Sequence, residues 1–152
     1  MNRKDIIKLL TRENLIQPRL LLVEDCKFDT VLIKKAIEDF SPFTLIDTAQ
    51  TRHEAHKMLK ANSYDIMLLD LHLPDSNGIH DIHEYKLISK ETNLIVITGN
   101  ATQEVVSKSK LNGADGIIGK ETLIQNNIDD AVLHFDAAIS NAIMNIKKAA
   151  NY

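Results

Sequence analysis

Glu24, Asp25, Asp70, Thr98 and Lys120 are the residues of this chain whose types and placement can do chemistry, because each stands at or near the end of an apolar run. Leu20-Leu21-Leu22-Val23 ends in Glu24-Asp25, Ile66-Met67-Leu68-Leu69 in Asp70, and Leu94-Ile95-Val96-Ile97 in Thr98. Ile117-Ile118 ends near Lys120. Buried strands of a parallel sheet read as continuous apolar runs, and the carboxyl ends of such strands form the crevice where open α/β sheets bind ligands. Carboxylates gathered there repel one another, and a bound cation resolves the repulsion. Hard oxygen ligands favour Mg²⁺, which keeps several waters and commonly bridges to phosphate. A carboxylate on such a metal can act as a nucleophile toward phosphorus and form an acyl phosphate. The metal, the Lys120 ammonium and the Thr98 hydroxyl would then share the charge on the phosphoryl oxygens. Gly99 and Gly119 would leave room beside the group.

The elements that must position these groups follow from the pattern. Apolar strands alternate with helical patterns, which predicts a parallel sheet with crossover helices. The strands are expected over Arg19–Val23, Thr44–Thr48, Ile66–Asp70, Leu94–Thr98 and Gly116–Gly119. Between the first two, Leu32, Ile33, Ala36, Ile37 and Phe40 recur at helical spacing, and Ser41-Pro42 stops that helix. Thr51 and Glu54 form a capping-box signature for the second helix, with Ala55, Met58 and Leu59 inward. Gly78 opens the third, with Ile79, Ile82 and Tyr85 inward; the fourth uses Val105, Val106 and Ser109 and stops at Asn112-Gly113.

With 152 residues, 44% apolar and 26% charged, the chain suits a single domain. A formal charge of −3 offers no basic surface for direct nucleic-acid binding, and no apolar stretch is long enough to span a bilayer. Cytoplasmic location is therefore expected. Cys26, the only cysteine, allows no internal disulfide, and its acidic neighbours disfavour a reactive thiolate, so it reads as a small packing residue.

Terminal segments extend beyond the alternation, giving an expected division into an N-terminal helical extension (1–17), a main domain (18–138) and a C-terminal helix extension (139–152). Ile6, Ile7 and Leu10 predict a short amphipathic helix before Pro18. The last helix starts after Thr122, with Gln125 as capping partner, or after Asn126, the preferred start, where Asp129 and Asp130 meet the positive helix end. Ile128, Val132, Phe135, Ile139, Ala142, Ile146 and Ala149 then form a heptad stripe. A helix from Asn127 to Ala150 would measure about 36 Å at about 1.5 Å per residue, longer than a sheet of this size requires. Its first half is expected to pack on the sheet and its second half to meet a helical partner.

Four motifs, LLVED (Leu21–Asp25), LLDLHLPDSNG (Leu68–Gly78), VITG (Val96–Gly99) and GADGIIGK (Gly113–Lys120), occur in order and at family spacing. By them the chain resembles the receiver domain of two-component response regulators, over about Arg19 to Phe135. The resemblance implies a flavodoxin-like five-stranded sheet in the order 2-1-3-4-5 with helices on both faces. It implies that Asp70 is the phosphoacceptor, that Asp25 binds Mg²⁺ directly and Glu24 through water, and that the His72 backbone carbonyl is another metal ligand. Thr98 and Lys120 would contact the phosphoryl group, and the donor would be a phosphohistidine on a sensor histidine kinase or phosphotransfer protein. Such a protein is a signalling switch or relay carrier rather than a turnover enzyme. The chain departs from the family pattern at Ile117, where an aromatic is common, at Glu121, where proline is usual, and at His72 beside the phosphoryl site.

Other readings of the same residues carry less. A degenerate receiver serving as a constitutive dimerisation module is motivated by Ile117, Glu121 and the long last helix, through which a homodimer would form. A phosphatase of the haloacid dehalogenase type wants a second acid two residues after the nucleophile, and His72 occupies that position. His80, His83 and Glu84 with His72 do not form the zinc-protease spacing and are expected to be solvated.

Overall fold

The computed structural model describes residues 2, 5, 17–42, 44–125, 133, 135–137 and 140. The five expected strands form one parallel sheet in the order β2-β1-β3-β4-β5. They are β1 (Arg19–Val23), β2 (Leu45–Ala49), β3 (Ile66–Asp70), β4 (Asn93–Thr98) and β5 (Gly116–Gly119). The helices between them are α1 (Lys27–Phe40), α2 (Arg52–Ala61), α3 (His80–Ile88), α4 (Gln103–Leu111) and the short α5 (Lys120–Ile124).

Strand alternation sorts the core into two layers. Leu21, Val23, Met67, Leu69, Leu94 and Val96 face one side and pack with Ala55 and Leu59 of α2 and Ile82 and Tyr85 of α3. Leu20, Leu22, Ile66, Leu68, Ile95 and Ile97 face the other and meet Ile33 and Ile37 of α1, Leu123 of α5 and Phe135. The strands β1, β3 and β4 are therefore apolar throughout because both their faces are covered. Each fully buried aliphatic side chain stabilises the fold by about 1.5–3 kcal/mol. Phe135, in a helical stretch and 2% exposed, stacks edge-on against Phe40 with ring centroids 5.0 Å apart.

Local signals explain the helix ends. The Thr51 and Thr102 side chains accept from the N–H groups of Glu54 and Val105, capping α2 and α4. In α2 the Glu54 carboxylate also reaches back toward the cap, accepting from Gln50 N–H at 3.0 Å. Gly113, with φ of +106°, follows α4 in a backbone conformation that side-chain-bearing residues rarely adopt.

Two expectations change. Thr122 does not cap a helix, because it lies inside α5, which begins at Lys120 directly at the end of β5. Cys26 is exposed at the N-terminus of α1, not packed. The helix expected around Ile6, Ile7 and Leu10, the preferred start at Asn126, and the stripe positions Ile128, Val132, Ile139, Ala142, Ile146 and Ala149 lie outside the described residues. Among the described residues no helix is long and apolar enough to cross a membrane.

Candidate functional site

Register brings the acidic strand ends together. Val23 pairs with Leu69, so Glu24 follows β1 beside Asp70, the last residue of β3. Asp70 pairs with Ile97 and Thr98 pairs with Gly119, so Thr98 and Lys120 stand at the same rim. Side-chain alternation then separates them. Glu24, Asp70 and Lys120 continue the parity of Leu22, Leu68 and Ile118, which face α1. Thr98 continues the parity of Val96 and faces the other layer.

The contacts agree with that parity. The Lys120 ammonium lies 2.8 Å from Glu24 Oε2, 3.2 Å from Asp70 Oδ2 and 3.2 Å from Asp29 Oδ2. Glu24 and Asp70 are buried, at 1% and 3% exposure, while Asp25 is exposed. Carboxylate oxygens of Glu24, Asp25 and Asp70 all lie within 4.8 Å of one another, the one such cluster among the described residues that can hold a metal ion. Asp70 Oδ1 accepts from the His72 backbone N–H at 3.0 Å, and Glu24 Oε1 accepts from the Cys26 N–H at 3.1 Å. Thr98 is buried, and its hydroxyl oxygen accepts from the Asn100 N–H at 3.1 Å rather than meeting Asp70 or Lys120. His72, His80, His83 and Glu84 are exposed, as expected of solvated residues.

Burial and charge set the electrostatics. Burial pushes the Glu24 carboxyl up to about 7, against the hydrogen bonds from Lys120 and from the Cys26 N–H, with the Asp70 charge adding to the rise. For Lys120, burial works against the ammonium, but the hydrogen bond to Glu24 and the charges of Asp70 and Glu24 outweigh it and hold the group above its ordinary value. Lys120 is therefore a fixed cation at neutral pH. An ammonium facing two buried carboxylates, with a third acid alongside, has the chemistry to hold a divalent cation, and a polyanion once a metal has reset the charge.

Asp29 is not among the candidates that the sequence pattern singles out. It lies in the first turn of α1, one helical turn beyond Asp25. Helical side chains lean toward the N-terminus, so an acid in that turn points back into the crevice. That spacing is the available signal.

The family model for the response regulator receiver domain matches residues 20–132, most of the chain. The chain belongs to that family. Its receiver domain is 30% identical over 102 residues to the chemotaxis protein CheY of Halobacterium salinarum, a match spanning 67% of this chain and 83% of that protein. It spans less than half the length of other curated relatives, 42% and 46% in two cases. The CheY-like receiver domain protein from Methanospirillum hungatei JF-1 superposes with a TM-score of 0.70 at 22% identity, over 81% of this chain and 97% of that one, which shows the shared fold. The beryllofluoride-activated NtrC4 receiver domain dimer superposes with a TM-score of 0.68 at 27% identity, over 80% and 96% of the two chains. At the positions where this receiver departs from the family pattern, Ile117 is half-buried against the core layer that holds Val96, and Glu121 is exposed in the first turn of α5.

Proposed function

We propose that Asp70 accepts a phosphoryl group from a phosphohistidine on a sensor histidine kinase or phosphotransfer protein. A carboxylate oxygen of Asp70 forms a bond to phosphorus as the phosphorus–nitrogen bond to the donor imidazole breaks. The observation that carries this reading is the position of the Asp70 carboxylate, buried at a strand end, 3.2 Å from the Lys120 ammonium and grouped with two further carboxylates. That all-oxygen donor set fits Mg²⁺, with Asp25, Asp70 and the His72 backbone carbonyl as direct ligands and Glu24 acting through water. Bound there, Mg²⁺ supplies positive charge that offsets the phosphoryl oxygens. Lys120 donates to another phosphoryl oxygen. The Thr98 hydroxyl, which faces the other layer at rest with its own proton unused, turns toward the rim to donate to a third. Phe28 and Val31, 70% and 65% exposed on α1, offer the donor protein an apolar footing beside Asp29.

The product is a signalling state rather than a released molecule. The protein then acts as a switch or relay carrier through protein contacts. Its output does not run through a paired threonine–aromatic rearrangement, because Ile117 supplies no ring to swing.

Treatment with acetyl phosphate and Mg²⁺ should add one phosphoryl group, read by intact mass, and beryllofluoride with Mg²⁺ should shift backbone amide signals around Asp70. Asp70→Asn should abolish both. A folded wild-type protein that answers neither reagent, or an Asp70→Asn protein labelled as fully as wild type, would overturn the reading. The rival reading, a constitutive dimerisation module, rests on Ile117 and Glu121 and on a last helix most of which lies outside the described residues. Sedimentation with and without beryllofluoride separates the two, since an unchanging dimer favours the module.

A further inference from the structure

Three carboxylates compete for one ammonium at this site. Glu24, Asp29 and Asp70 each place an oxygen within 3.2 Å of Lys120 Nζ; the lysine donates to Asp29 and Asp70 and holds Glu24 in an ion pair, so all three acids lie against the ammonium before its N–H donors meet any ligand. A phosphoryl group on Asp70 needs one of those donors, and one contact must lengthen. Glu24 holds the shortest contact and its side chain is 1% exposed, so releasing it would leave a buried acid unpaired. Asp70 carries the incoming group itself. Asp29 is the partner whose loss costs least: its contact is 3.2 Å, and its side chain is 27% exposed, so water can take over its oxygens.

We propose that Asp29 is a positioning residue of this site, holding the Lys120 ammonium toward α1 at rest and yielding it when an anion arrives at Asp70. The inference rests on the phosphoacceptor reading above. Asp29 also adds a fourth negative charge to Glu24, Asp25 and Asp70, against a single ammonium. That charge attracts a divalent cation and repels the anion that follows it. Asp29 therefore biases the domain toward a metal-ready, unphosphorylated state.

The test is Asp29→Asn, which removes the charge and keeps the shape, with Asp29→Glu as the conservative variant and Asp70→Asn as the control. Mg²⁺ affinity is read by titration calorimetry. Beryllofluoride affinity at saturating Mg²⁺ is read by ¹⁹F NMR. In the Asp29→Asn protein, Mg²⁺ should bind about two- to fivefold more weakly and beryllofluoride about two- to fivefold more tightly, as expected for a partly exposed charge pair. Asp29→Glu should restore both toward wild type. A merely structural loss would weaken both affinities together, and that result, or no change in either, overturns the proposal. Wild-type protein that binds no beryllofluoride with Mg²⁺ present removes the phosphoacceptor reading itself, and the role of Asp29 with it.

Discussion

Lys120 stands closer to Glu24 than to Asp70, at 2.8 Å against 3.2 Å. The ammonium thus serves as the resting counter-ion of the acids that would hold a metal. Removing it by Lys120→Gln leaves two buried carboxylates facing each other, which should cost about 2–4 kcal/mol in urea unfolding without divalent cations. Added Mg²⁺ should raise the midpoint of the variant more than that of wild type, because the metal then replaces the lysine charge as well as adding its own binding. Equal gains in the two proteins would count against this role for Lys120.

The buried carboxylate of Asp81 is a second focus of order. It accepts from Arg52 Nε at 2.8 Å, from Ser76 Oγ at 2.9 Å and from the Asn77 N–H at 2.8 Å. Ser76 Oγ in turn accepts from the Gly78 N–H, and its single proton is shared between Asp81 and the Leu71 carbonyl 3.0 Å away. Asp81→Ala is expected to destabilise the protein by about 2 kcal/mol, since it takes a buried acceptor from three part-buried donors at once. Hydrogen exchange at the amides of Asn77 and Gly78 should accelerate more than exchange in β1. Uniform acceleration across the sheet would show instead that Asp81 acts on global stability alone.

Gly78 and Gly113 both have positive φ but should respond differently to alanine. Gly78 sits at +67°, near the left-handed helical well, and an added Cβ would meet nothing within 4 Å. Gly78→Ala should cost about 1 kcal/mol. Gly113 sits at +106°, and an added Cβ would lie 3.4 Å from Lys86 Cγ. Lys86 is itself fixed by bonds to the Thr92 carbonyl and to Asp115. Gly113→Ala should therefore be the more destabilising of the two in denaturant unfolding; the reverse order would contradict these backbone conformations.

His56 predicts a pH dependence. Burial holds its imidazole below the ordinary 6.5, and the Arg52 charge adds to that, with Lys60 acting the same way and Glu84 and Asp81 opposing. Its ring also packs edge-on against Tyr85 at 4.8 Å, and its Nε2 lies 3.9 Å from Glu84 Oε2. The unfolded chain takes up a proton near 6.5 that the folded chain resists, so stability falls as pH drops below that value. Between pH of about 7.5 and about 5.5 wild type should lose more stability than His56→Gln. Parallel stability curves for the two proteins would remove His56 as the source.

The strands and the acidic rim were legible because the runs of β1, β3 and β4 are buried on both faces and end in polar residues at the crevice. The runs ending at Glu24, Asp70 and Thr98 needed no long-range information. What the pattern could not carry were partners distant along the chain. Asp29 meets Lys120 across 91 positions, and Arg52 meets Asp81 across 29. Cys26 reads as a packing residue because its acidic neighbours disfavour a thiolate, yet an unreactive thiol need not be buried, and the chain turns outward after Glu24 to start α1. The short α5 is hidden in the sequence because its five residues present no complete amphipathic period.

Asp75 accepts from the backbone N–H groups of both Arg52 and His53, at 2.7 and 3.0 Å, so α2 is capped by a residue made more than twenty positions later. Such an arrangement gives synthesis a direction. While the chain is still emerging from the ribosome, α2 has only its local caps, Thr51 and Glu54, to hold its first turn. It becomes a complete helix once β3 and the loop beyond it have been delivered, so the segment that contains Asp70 also finishes its neighbour.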